Sequence, residues 1–172
     1  ARAEVSKRTV YNHFPSKEEL FSEMLHRLWS CAAPPSEMIY RPEVTLRDQL
    51  REMLDTKMKT LGDSNFIDLA RVAIGATIHS PERAQVWVNR LNEREETFTV
   101  WVRGAQQDGR LKAVEPGFAA SQIHALLKAF AFWPQVTLNK PLLTPEEQVS
   151  VVESALDLFL CWYEVPASCS PA

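Results

Sequence analysis

From about Thr45 onward, apolar residues return every three or four positions, the period of a helix that buries one face. The pattern predicts helices over about Thr45 to Leu61, Asn65 to His79, Phe118 to Trp133 and Pro145 to Glu164. Between Ser80 and Gly109, apolar or small residues at 84, 88, 91, 98, 102 and 105 share one face that only Glu95 interrupts. Punctuation agrees with the periodicity. Ser80-Pro81-Glu82 and Thr144-Pro145-Glu146-Glu147 place a hydroxyl cap before a proline at the first helical position, with acids in the first turn. Gly109 supplies a stop. The best strand candidate, Phe98 to Val102, lies inside a helical repeat, so the expected fold class is all-α.

The N-terminal 30 residues are patterned differently. Ser6 can cap a short helix in which Val5 and Val10 form a hydrophobic staple and Phe14 follows Val10 on the same inner face. Lys7, Arg8, Tyr11 and Asn12 then face outward, with Thr9 in the first turn. Phe14-Pro15 ends this helix. Ser16-Lys17-Glu18-Glu19 is a capping box for the next, whose Leu20, Phe21, Met24, Leu25 and Leu28 form an amphipathic stripe. Pro34-Pro35-Ser36 to Pro42 is the one stretch of linker composition. It divides residues 1–33 from a larger helical part, 34–172.

Composition narrows the function classes. The 172 residues carry a formal net charge of −3, so the whole chain is not a basic nucleic-acid coat. Within residues 1–13, however, only Glu4 opposes Arg2, Lys7 and Arg8, which puts a short basic tip on an acidic body. Cys31, Cys161 and Cys169 are odd in number and lack metal-ligand spacing, pointing to a reducing cytoplasm and inert thiols. The longest apolar run, Leu158 to Tyr163, is far short of a membrane span.

Catalysis has no visible carrier. The chain has no Walker loop, G-x-G-x-x-G, G-x-S-x-G or H-E-x-x-H. Glu23-x-x-His26 matches one element of di-iron bundles, but that chemistry needs a second copy, and Val10, Ala76 and Ser121 stand three residues before the other histidines. No metal, cofactor or enzymatic activity is expected.

The string VSKRTVYNHFPSKEELF closely resembles the end of the helix-turn-helix in TetR/AcrR-type bacterial transcriptional repressors. The resemblance implies a recognition helix entering the major groove, with the chain holding only the last part of its helix-turn-helix and Glu4 where the family commonly has Gly. It assigns Lys7, Arg8, Thr9 and Asn12 to the groove and Tyr11, His13 and Lys17 to phosphate. The residue chemistry agrees: Arg8 has forked donors for guanine, Asn12 suits adenine, and Lys17 sits in a first helical turn that favours phosphate.

HSPERAQVWVNRLNEREETFTVWVRGAQQDGRLKAVEPGFAASQIHALLKAFAFWP is similar to the regulatory part of the same family. This implies a cavity for a small hydrophobic effector among Leu54, Met58, Phe66, Arg71, Thr77, His79, Trp87, Phe98 and His124. Read from the residues alone, Leu54, Met58, Trp87 and Phe98 suit a core better than a ligand wall, His79 a surface or capping position, His124 a satisfied core site, and Arg71 a solvated edge or an internal ion pair.

Two stripes on each of the last two predicted helices leave most of their circumference apolar. A homodimer through Ile123, Leu127, Phe130, Val152, Leu156, Phe159, Trp162 and Tyr163 covers them. The expectation is a cytoplasmic, DNA-binding transcriptional repressor, homodimeric, released from an inverted-repeat double-stranded operator by its effector, with no membrane partner. The alternative is an all-α interaction protein that keeps the helix-turn-helix remnant only for packing.

Overall fold

The computed structural model describes residues 6–16, 19–20, 22–24, 39–78 and 97–166. The expected division at 33/34 lies outside these residues. Among those described, the structure is helical apart from turns and one isolated antiparallel bridge between Leu111 and Glu164. No helix among them is long and apolar enough to cross a membrane.

The first helix, α1 (Lys7–His13), starts where Ser6 accepts the Thr9 N–H at 3.1 Å. Ser16 opens the next helical stretch by accepting the Glu19 N–H, also at 3.1 Å. The larger part contains α2 (Leu46–Leu61), α3 (Ser64–Ile78), α4 (Thr97–Gln107), α5 (Pro116–Ala131), α6 (Trp133–Leu138) and α7 (Pro145–Tyr163). Thr45 caps α2, and Thr144, the cap its sequence predicts, forms a complete capping box on α7 with Glu147.

One boundary differs from the expectation of a single helix over 118–133. The chain breaks at Phe132, where φ is −132° and ψ is −64°, and restarts as α6 with Pro134 in its first turn. A proline has no N–H for the helix ladder and crowds the preceding turn, so the long apolar run is split.

Leu46, Leu50, Leu54, Met58 and Leu61 keep the 3,4 spacing on α2 and meet Phe98, Trp101, Val102 and Ala105 of α4 in the main core. Ala119, Ala120, Ile123 and Leu127 of α5 and Val152, Leu156 and Phe159 of α7 complete it. Each fully enclosed Leu or Ile contributes about 1.5 to 3 kcal/mol relative to exposure. A smaller cluster of Ile67, Ala70 and Val136 joins α3 to α6. Arg47 pairs with Glu153 and Asp157, and Arg51 with Glu153, between α2 and α7. These partly exposed pairs favour the helix alignment more than they stabilise it.

After α4, Gly109 takes φ +71°, a left-handed turn that a side chain disfavours. The chain then lies against the end of α7, with Lys112 N–H bonded to Tyr163 O and Val165 N–H to Arg110 O, both at 2.9 Å.

Candidate functional site

α1 presents the chemistry expected of it on one side. Arg8, Thr9, Tyr11, Asn12 and His13 are exposed, Tyr11 by 59%, while Val10 and Phe14 on the inner face are half-buried. The Thr9 hydroxyl is engaged with that of Ser6 at 2.9 Å, so it supports the start of the helix. Lys17 and the side chain of Lys7 lie outside the described residues. The outward set is a guanidinium, an amide, an imidazole and a phenol on two helical turns, which suits phosphate oxygens and base edges.

Of the expected effector residues that are described, Leu54, Met58, Phe98, His124 and Phe66 come together in or against the main core, while Arg71 is engaged elsewhere. Leu54, Met58 and Phe98 are integral to the main core. Phe66 packs between the two clusters and meets the Phe132 ring at a tilt, with centroids 6.2 Å apart. His124 meets the Phe98 ring edge to face at 5.3 Å. Arg71 has its donors committed: they reach Gln135 O at 2.7 Å, Val136 O at 3.3 Å and Asp68 Oδ1 at 2.9 Å, closing the carbonyl end of α6. Thr77's side chain, His79 and Trp87 lie outside the described residues. So do His26, of the Glu-x-x-His element, and Cys31 and Cys169. Cys161 is exposed and unpaired, and no cluster suited to a metal occurs among the described residues.

A cleft of about 290 Å³ opens elsewhere, between the strap of Ile39 and Arg41 and one face of α2 formed by Gln49, Glu52, Met53 and Thr56, with Trp101 of α4 beneath. Gln49 builds it. This buried amide accepts the Arg41 N–H at 2.8 Å and the Trp101 indole N–H at 3.0 Å. It donates to Arg41 O at 2.8 Å and Val44 O at 3.0 Å. Arg110 holds the same strap from the other side, donating to Val44 O at 2.9 Å and Pro42 O at 3.0 Å. The Tyr40 hydroxyl donates to Asp108 at 2.5 Å. Burial and that bond push the Tyr40 phenol above its ordinary value. At the rim Arg41 pairs with Glu52. Sequence periodicity passes over this site. Its one signal is Gln49, a polar residue among the apolar positions of α2.

The final helices also divide their two stripes. Ile123, Leu127, Val152, Leu156, Phe159 and Tyr163 are buried in the chain's own core, so they are not free to meet a partner. Phe130 and Trp162 are exposed, Trp162 by 67%. Beside Trp162 on α7, Ser154, Leu158 and Cys161 are also exposed. On α5 the exposed positions include Phe118, Ser121, Ala125 and Ala129. The Lys112 ammonium lies 5.1 Å from the centre of the Trp162 ring.

Residues 48–165 match the family described as AefR-like transcriptional repressor, C-terminal domain, and residues 1–24 match bacterial regulatory proteins, tetR family. A TetR family transcriptional regulator from Pseudomonas syringae pv. tomato is 68% identical, with a TM-score of 0.83 over 96% of this chain and 83% of its own. Crystal structures from Mesorhizobium loti and Agrobacterium tumefaciens, 19% and 16% identical, share the fold, with TM-scores of 0.69 and 0.72. The first covers 95% of this chain and 83% of its own, the second 95% and 80%. Comparison with curated proteins returns no match.

Proposed function

Because the chain belongs to the TetR family of bacterial transcriptional regulators, we propose that it is a repressor that holds an inverted-repeat operator through α1 and is released by a small hydrophobic effector. Regulators of this family bind DNA, act as dimers and are generally not enzymes. The observation that carries the reading is the exposed set of Arg8, Tyr11, Asn12 and His13 on α1, opposite half-buried Val10 and Phe14. It acts in the cytoplasm, where the operator is. Residues 34–172 form its effector-binding and dimerisation domain.

Salt and sequence dependence test the DNA contact. Lys17→Ala is expected to weaken binding to every sequence and to reduce the salt slope by roughly one phosphate contact. Arg8→Ala is expected to relax base preference at a cost of about 1 to 3 kcal/mol. Equal weakening on all base variants removes Arg8 from base reading, and an unchanged slope removes Lys17 from the phosphate set.

The dimer face we assign is the exposed one. On α5, Ser121, Ala125 and Ala129 recur every four residues and allow a second helix to approach closely, while Leu158 and Trp162 of α7 supply apolar area. Two copies of α5 and α7 then make a four-helix bundle about a two-fold axis. Charged substitutions at both Leu158 and Trp162 are expected to give a folded monomer by sedimentation. A dimer that survives them refutes this face.

A further inference from the structure

We infer that Tyr40 and Arg110 are positioning residues for operator spacing: they lock the strap that carries the DNA-binding part to the end of α7, and so set the distance between the two recognition helices of a dimer. The inference rests on the operator-binding, dimeric reading above and adds which residues make it sensitive to the spacing of the half-sites.

The covalent route from α1 to the helical body runs through residues 39–45. A connection of this kind is ordinarily solvated, and a free one lets the parts it joins wander. Side chains from outside this strap hold three of its carbonyls: Gln49 Nε2 donates to Arg41 O and Val44 O, and Arg110 Nη1 to Pro42 O and Val44 O. Arg41 and Pro42 are exposed, so water can also serve their carbonyls, and these bonds contribute more to position than to stability. The Tyr40 side chain fixes the strap a second time. Its hydroxyl donates to Asp108 at 2.5 Å and accepts from Arg110 Nη1 at 3.2 Å. Its ring meets Trp101 edge to face, with centroids 6.1 Å apart.

Arg110 joins this strap to a helix of the dimer. Its side chain holds Pro42 and Val44, while its own carbonyl takes the Val165 N–H at 2.9 Å, just past α7. α4 gives a second path. Phe98 meets His124 of α5 at 5.3 Å and Phe159 of α7 at 6.2 Å between ring centroids. The chain leaving the DNA-binding part is therefore tied to both helices assigned to the partner face. Half-sites read by one dimer lie a helical turn, about 34 to 36 Å, or a multiple of it apart. One added base pair moves a half-site by about 3.4 Å and about a tenth of a turn. Recognition helices on a locked strap cannot follow that shift. A released strap lets them.

The test enriches random duplexes on the wild-type regulator, with its helix-turn-helix entire, and takes the recovered inverted repeat as the probe. Fluorescence anisotropy compares this repeat, the same repeat with one base pair added or removed between the half-sites, and a single half-site. Wild type is expected to lose roughly tenfold or more on either altered repeat. Tyr40→Phe combined with Arg110→Met keeps the ring and the apolar stem but removes the hydroxyl and the guanidinium. It is expected to cut that loss to about threefold or less and to leave half-site affinity within about twofold, since α1 is untouched. Circular dichroism and sedimentation check that it is a folded dimer. Tyr40→Phe alone, which removes one hydroxyl, is expected to shift the ratio less and in the same direction, and it carries the test if the double variant does not fold. A merely structural role weakens all the repeats equally. Spacing ratios equal to wild type in the folded variants, or a wild type indifferent to spacing, overturn the inference and keep the operator reading. No duplex enriched on the wild type removes both.

Discussion

Replacing Gln49 by Leu removes the amide that joins the strap to α4 while nearly keeping its volume. Four strong hydrogen bonds are lost, but they are not equivalent. The two carbonyls keep other donors: Val44 O still receives Arg110 Nη1 at 2.9 Å, and Arg41 O still receives Val44 N–H at 3.2 Å. The two donors keep nothing. The Trp101 indole N–H, in a residue only 1% exposed, and the Arg41 N–H lose their acceptor. An orphaned buried donor costs about 1 to 3 kcal/mol, the Arg41 N–H standing at the low end because its residue is exposed. Leu returns about 1 kcal/mol of apolar burial. The expected net loss is about 1 to 3 kcal/mol. Urea unfolding followed by circular dichroism, at one fixed protein concentration because the family is dimeric, measures it. The same substitution in a Trp101→Phe background, which has no indole N–H to orphan, is expected to cost at least about 1 kcal/mol less. A loss below about 0.5 kcal/mol, or one unchanged in that background, refutes the role given to Gln49.

A methyl group at Gly104 meets Tyr40 Cβ at 2.8 Å and Cγ at 3.2 Å. Gly104→Ala is thus expected to cost about 1 to 3 kcal/mol by overpacking, and Tyr40→Ala, which keeps that Cβ, should not relieve it. Arg71→Leu leaves the Gln135 and Val136 carbonyls without their cap and is expected to speed amide hydrogen exchange across α6 more than across α2; equal protection of the two helices contradicts the capping role. Burial raises the phenols of both Tyr40, where the Asp108 bond adds to it, and Tyr163 above the ordinary 10.0. A raised folded-state value stabilises the protein below the unfolded value and loses that stabilisation as pH climbs through the folded one. Melting temperature should therefore be level below about pH 10 and fall above it, less steeply after Tyr40→Phe. A wild-type curve that stays level to about pH 11 contradicts the burial of these rings.

Local chemistry was legible in the amino-acid order. The caps at Ser6 and Thr144 follow from a side-chain oxygen and an N–H three residues away, and the stop at Gly109 follows from the absence of a Cβ, which admits a left-handed turn. The direction of α1 was legible for the same reason, since Val10 and Phe14 share one side of a single short helix. The family, too, was readable from a run of 17 contiguous residues. Periodicity established that α7 has two apolar stripes but not which one the chain itself covers. The structure turns Val152, Leu156, Phe159 and Tyr163 inward and leaves Leu158 and Trp162 outside. Arg71 has the charge to receive an anion, yet its place beside the end of α6, 64 positions away, commits it to carbonyls. The cleft depends on bonds from Gln49 to Arg41, eight residues back, and to Trp101, 52 residues on. Capping and helical pitch act within a few residues and so are written in sequence. Which face is covered, and which polar group is left with spare donors, depends on partners brought together only when the helices pack.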